Sequence, residues 1–261
     1  MGKLIKMDLR RMTKSTFFKI SLAVIAVFNI IAGIALPLIV NLIPNASQSF
    51  EATPLSSVIS NPITISLLII LLFVSVVSFT YADFANGYVK NLAGQVSKRS
   101  NYIFSKFVVI AIMNLIFVVT GALSKVIGEL AGTAFGGKIE VDGLILAGIA
   151  TLVIKWMLCV AISTILLFIT TGVRNKTLAS IVGVVIGTGA LGLVYFGLDS
   201  AISGIFKVSD FSIASYMPDQ LMNTVNVGTN MAVVNAIIVA VVCTALFLAL
   251  SVKTFNSRDV K

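Results

Sequence analysis

Apolar residues along this chain gather into six long runs, at about 17–40, 63–81, 107–130, 144–168, 178–198 and 231–252. Each is near the ~20 residues that a helix needs to cross a bilayer. The runs are continuous, without the alternation of a barrel strand. The pattern predicts an all-α polytopic membrane protein with six transmembrane helices, forming a single transmembrane domain over 1–261 with no linker. Ahead of the first run, Ile5, Leu9, Met12 and Thr16 recur at helical spacing among Lys3, Lys6, Arg10 and Lys14. This predicts an amphipathic interfacial helix that continues into span one. Pro37 is expected to kink or end that span. Between the runs, residues 41–62 hold Pro44, Pro54 and Pro62 without Lys or Arg, and 199–230 form the longest loop.

Composition narrows the class further. Of 261 residues, 58% are hydrophobic and 11% charged, with mean hydropathy +1.06. A soluble domain carries about 25% charged residues, so a soluble enzyme, a secreted disulfide scaffold and a disordered chain are excluded. There is no histidine, which removes His-based acid/base catalysis, the HExxH metalloprotease and the Ser-His-Asp triad. Cys159 and Cys243 lie inside apolar runs without a neighbouring cysteine, so they are read as small buried hydrophobes and no metal site is expected. No GxxxxGK[ST] sequence occurs, so ATP hydrolysis is not expected on this chain.

Charge supplies the orientation. Fifteen of the 19 Lys and Arg residues fall before run one or at its very start (Lys19), between runs two and three, between runs four and five, and after run six; the others are Lys125, Lys138, Lys155 and Lys207. Lys and Arg concentrate on the cytoplasmic side, so both termini are expected there, in a multi-pass protein of the cell membrane. The net charge of +9 then reads as topology plus attraction to anionic lipid of the bilayer. No aromatic basic platform suggests nucleic acid.

The segment between runs two and three is the most informative. Phe84, Tyr88, Val89, Leu92 and Val96 recur at three- and four-residue steps, which predicts a short amphipathic helix on the cytoplasmic face, with Gly94 and Ser97 at the turn into span three. Asp83, Gly87, Lys90-Asn91-Leu92, Ser97-Lys98-Arg99 and Ser105-Lys106 follow in order. Here the chain resembles the membrane subunits of ABC-2-type transporters, especially small Gram-positive permeases of peptide-antibiotic immunity or export. The family position held here by Asp83 is often Glu, and Lys98 precedes Arg99 at the turn. The resemblance implies a coupling helix that docks on a separate cytoplasmic ATPase, which carries ATP and Mg. It also implies a second permease subunit, identical or paralogous, and export of a peptide, lipid-like molecule or hydrophobic drug. Phe84, Tyr88 and Leu92 are the candidate apolar anchors; Asp83, Gly87, Lys90, Asn91, Lys98 and Arg99 are the candidate register positions.

Polar residues inside the runs are the remaining signals. Lys155, about eleven residues into run four, costs at least ~2.5–3.5 kcal/mol at a helix centre. Three roles are open to it: pairing with Glu129, snorkelling to the outer interface, or lining a cargo path. Lys125, four residues before Glu129, belongs to the same candidate group. Asn29, Asn114 and Asn235 are expected to hydrogen-bond between helices. Gly183 and Gly187 form a GxxxG suited to close helix approach within the subunit or between subunits. The rival readings are an ion-coupled secondary transporter and a membrane-embedded enzyme or scaffold. The first would need midplane acids, the second a convergent catalytic group.

Overall fold

A computed structural model describes residues 2–42, 52–62, 66–88, 100–206, 212–229 and 232–257. Among them are ten α-helices: α1 (Gly2–Lys14), α2 (Thr16–Leu42), α3 (Leu55–Ser60), α4 (Ser66–Ala85), α5 (Ser100–Gly132), α6 (Ile145–Val173), α7 (Lys176–Gly187), α8 (Leu191–Phe206), α9 (Pro218–Thr224) and α10 (Val233–Ser257). Five of these, α2, α4, α5, α6 and α10, are long and apolar enough to cross a membrane. The chain is therefore all-α and has the helices of a multi-pass membrane protein. Ile20, Val27, Ile31 and Leu38 on α2, and Val234, Ile238 and Val242 on α10, are exposed, as lipid-facing residues must be. The core lies between α2, α4, α5 and α6, around Ile25, Phe73, Val77, Met113, Phe117 and Ile162.

The fifth apolar run is the largest departure from the sequence pattern. It is two helices, α7 and α8, bent by 69°, and six spans result only if this pair is one broken span. Twelve residues of α7 rise ~18 Å, little more than half of a ~30 Å hydrocarbon core. The break sits at Thr188-Gly189-Ala190, where Gly189 takes φ +73° and closes the α7 end by donating to the Ile186 carbonyl at 3.1 Å. Hydropathy sees no gap there, because Gly, Thr and Ala are not polar enough to interrupt an apolar average. The turn into α7 is equally local. Arg174 adopts φ 55° at the end of α6, and the Asn175 side chain accepts from the Thr177 and Leu178 amides at 2.9 and 3.3 Å, capping the helix.

Other boundaries move outward. Span three starts at Ser100 and span four ends at Val173, several residues beyond their apolar cores. Span one does not end at Pro37: α2 runs on to Leu42. The Pro-containing loop before span two is not simply a loop. Its residues 53–54 pair in parallel with Ile139–Glu140, and α3 follows, packed against α5 and α6. Ser56 fastens this strap: its amide donates to Asp142 Oδ1 at 3.0 Å and its hydroxyl donates to Oδ2. That bonding holds the Asp142 carboxyl below its ordinary range.

Small residues set the closest helix approaches. The GxxxG of Gly183 and Gly187 works within the subunit, facing Phe73 and Ile70 of α4. A tighter seam joins α2 to α5. There Gly33 lies against the Gly128 backbone, and a Cβ on Gly128 would stand 2.7 Å from the Asn29 carbonyl oxygen. Asn29, one turn before Gly33, donates from Nδ2 to the Gly121 carbonyl and Ser124 Oγ, both at 3.2 Å, and to the Pro62 carbonyl at 3.0 Å. Asn114 similarly donates to Ser163 Oγ at 2.9 Å, tying α5 to α6. Both asparagines make the contacts expected of them, each worth on the order of 0.6 kcal/mol in a bilayer.

Candidate functional site

Two polar assemblies stand out, at opposite halves of the bundle. The first gathers at the end where α1, the close of α4, the opening of α5 and the close of α10 meet. Amphipathic α1, expected to lie in the interface, packs its apolar stripe against the bundle core through Leu4, Ile5, Leu9 and Met12. Its buried stripe also contains Asp8, only 2% exposed, which the hydrophobic spacing passed over. Ser105 Oγ donates to Asp8 Oδ2 at 2.8 Å, and Lys106 Nζ donates to Oδ1 at 2.9 Å. Lys106 also reaches Asp83 Oδ2 at 2.6 Å, and Arg11 Nη2 reaches Asp83 Oδ1 at 2.5 Å. Tyr102 Oη donates to Asp83 Oδ2 at 3.0 Å. Two carboxylates thus meet two cations, and the cluster is neutral. Neutrality matters because an unpaired charge out of water costs several kcal/mol.

Aromatic rings surround the cluster. Lys106 Nζ lies 4.3 Å from the Phe79 ring centroid and Arg11 Cζ 4.5 Å from that of Tyr88. Tyr102 stacks on Phe255 at 5.0 Å, which brings in α10. Burial, and after it the Asp8 carboxylate, raises the Tyr88 phenol above its ordinary pKa.

This geometry reassigns several sequence-derived residues. Asp83 is fully buried, so its carboxylate orders this chain and is not presented on a surface. Ser105 and Lys106 are also fully buried and serve Asp8. Phe84 and Tyr88 are half-buried against the chain's own core, and Arg174 Cζ lies 5.8 Å from the Phe84 ring. Gly87 is not inside a helix. It has φ +63°, just past the end of α4, and its amide donates to the Phe84 carbonyl at 3.3 Å. The periodicity joining Phe84 to Tyr88 therefore crosses a helix end. Lys90, Asn91, Leu92, Lys98 and Arg99 lie outside the described residues.

A Cβ at Gly87 would meet no atom within 4 Å, so substitution there tests backbone conformation alone. Gly87→Ala is expected to cost ~1–2 kcal/mol, the penalty of a left-handed L-residue, and Gly87→Asn less. Thermal unfolding of the purified variants measures this, and equal midpoints for Gly, Ala and Asn would contradict it.

The second assembly is a cavity of about 150 Å³ lined by Asn61, Pro62, Val118, Lys155, Cys159, Met222 and Asn223. Lys155 is 7% exposed and lies ~15 Å along α6 from its first residue. It does not pair with Glu129. Its Nζ donates instead to Asn61 Oδ1 at 2.6 Å, while Lys125 Nζ donates to the Asn61 main-chain carbonyl at 3.1 Å. The physical reason is the strap: α3 brings Asn61 between α5 and α6, and a short amide is reached more easily than a carboxylate on another span. Glu129 is half-buried, one turn along α5 from Lys125. Among the described residues, no carboxylate lies within 4 Å of Lys155, and no group of acids, Cys or His could hold a metal.

Sequence reasoning missed Asp8 and Asn61. An acid one turn from both Ile5 and Met12 on an otherwise basic helix is a readable signal for the first. Nothing local marks the second, because its partners are 64 and 94 residues away. Comparison with family models and with curated proteins finds no match for this chain.

Proposed function

We infer that this chain is the membrane-spanning subunit of an ATP-driven transporter of the ABC-2 type. Its basic end and both termini face the cytoplasm, and it works with a second permease subunit and with separate ATPase subunits that bind ATP and Mg. The cargo class is a peptide, lipid-like molecule or hydrophobic drug. The observation that carries the reading is the buried cluster of Asp8, Arg11, Asp83 and Lys106. It sits at the root of the segment that leaves α4 at Gly87. A force on that segment would reach α1, α4 and α5 together, because their ends share charges that cannot separate without desolvated cost. Coupling of ATPase closure to span movement needs such a rigid root. The positions resembling the family's coupling segment begin there, at Asp83 and Gly87.

Since Phe84 packs inward, Leu92 is the cleaner docking probe. A desolvated anchor contributes ~2 kcal/mol or more, so Leu92→Ala should weaken ATPase association about 30-fold at unchanged membrane yield. Co-purification of the ATPase and ATP-dependent transport in vesicles provide the readout. Normal association and transport in a Phe84→Ala, Leu92→Ala double variant would remove the docking face. A cysteine at Asn91 should be protected from an impermeant maleimide in intact cells, and labelling there would reverse the orientation.

A further inference from the structure

Lys155 presents an unusual balance. It is 93% buried by its 7% exposure, it projects into a cavity, and its hydrogen-bond partner among the described residues is the neutral Asn61 Oδ1 at 2.6 Å. The other cation on Asn61 is Lys125, so the strap amide lies between two positive charges. The cavity walls add Asn223 as a polar group, and Pro62, Val118, Cys159 and Met222 as apolar or soft ones. The neighbouring acid on α9, Asp219, is already bonded by Tyr195 Oη at 3.2 Å and faces a separate cavity of about 90 Å³. Glu129 is on the Lys125 side and makes no ion pair with Lys155 among the described residues. At the opposite end of the bundle the same fold neutralises its buried cations with carboxylates. A buried ammonium left without one is costly unless an anion arrives.

We propose that this cavity receives the anionic head group, a carboxylate or a phosphate, of an amphiphile whose apolar part remains among the spans or in lipid. A volume of about 150 Å³ suits a head group and not a whole cargo. The Met222 and Cys159 wall accepts the first methylenes beyond the charge, and Asn223 supplies amide hydrogens to a remaining oxygen, while Asn61, whose amide already donates to the Ser57 carbonyl at 3.0 Å, holds Lys155 in place. The proposal rests on the transporter reading for its biological meaning, since it specifies the cargo's charge, but its test requires no ATPase.

Trp156, the sole tryptophan, adjoins Lys155 and is fixed by donation from Nε1 to the Ala111 carbonyl at 3.0 Å. Its fluorescence can be quenched by bromine atoms on a bound chain. The full chain in neutral detergent is titrated with dibromostearate and with dibromostearyl alcohol, its uncharged counterpart. The expected result is half-quenching at a concentration at least ten-fold lower for the acid. Lys155→Met should erase that difference, and Lys155→Arg should retain it. Dodecanoate and dodecyl phosphate are then used as displacers. Displacement by either supports the proposal and identifies the preferred head group, while displacement by neither overturns it. Equal quenching by acid and alcohol overturns it too, as does an unchanged ten-fold difference in Lys155→Met of normal elution volume. If Lys155→Met does not fold, Lys155→Gln carries the same two outcomes. Loss of this selectivity with intact ATPase coupling would remove the head-group site alone; loss of coupling with intact selectivity would remove the transporter reading alone.

Discussion

Lys106→Met is expected to destabilise the protein by ~3–5 kcal/mol, the cost of breaking a buried ion pair from one side. Lys106 is fully buried and bridges Asp8 and Asp83 at 2.9 and 2.6 Å. Without it two buried carboxylates share Arg11, whose side chain is 30% exposed and stands 3.7 Å from Asp8. The compensating change is Asp8→Asn. In the Lys106→Met, Asp8→Asn double variant, one charge of each sign is gone and the Arg11–Asp83 contact at 2.5 Å survives. An asparagine oxygen at position 8 can still accept from Ser105. Most of the loss should therefore return. Asp8→Asn alone should be milder, because Lys106 keeps Asp83 at 2.6 Å and the surplus charge falls to Arg11, which is partly exposed and can turn toward water. Thermal unfolding in detergent and monodisperse yield measure all three. A double variant as unstable as Lys106→Met would mean that the contact of the Lys106 ammonium with the Phe79 ring matters more than its pairing with Asp8.

Gly128→Val should be comparably damaging, for a different reason. Its Cβ would stand 2.7 Å from the Asn29 carbonyl oxygen and 2.8 Å from Ile30 Cα, and backbone atoms cannot swing aside as a side chain can. Separation of α2 from α5 is the only relief. It would pull Asn29 from Gly121, Ser124 and Pro62, and so loosen the strap that presents Asn61 to Lys155. Overpacking commonly costs ~1–3 kcal/mol; Gly128→Ala should fall in that range and Gly128→Val above it. Gly197 on α8 is the control, since a Cβ there meets nothing within 4 Å. Gly197→Ala is expected to be neutral or stabilising by ~0.5–1 kcal/mol. Equal unfolding midpoints for the variants at 128 and 197 would show that the seam is not limiting.

The amino-acid sequence by itself determines the five long spans, which follow from apolar runs that water would not tolerate. It also determines the amphipathic N-terminal helix, through the spacing of Ile5, Leu9 and Met12, although its packing against the bundle core is given only by the tertiary structure. Those signals are local: each residue's own transfer energy or helical phase is enough to read them. Even the bend at Thr188-Gly189 has a local mark, since glycine permits the positive φ that other residues resist, although averaging over an apolar window hides it.

What tertiary structure alone decides is pairing. Nothing in the sequence tells Lys155 to choose Asn61 over Glu129, or sends Lys106 to Asp8, whose numbers differ by 98. Composition supplies buried charges and requires that they be compensated; it does not say by whom, because a compensating partner is selected by distance, and distance between remote residues exists only once helices have packed. The strap shows this most clearly. Residues 53–62 read as a polar, proline-broken loop by every local criterion, and only their anchoring by Asp142 and Asn29 carries Asn61 between two lysines that hydropathy assigns to separate spans.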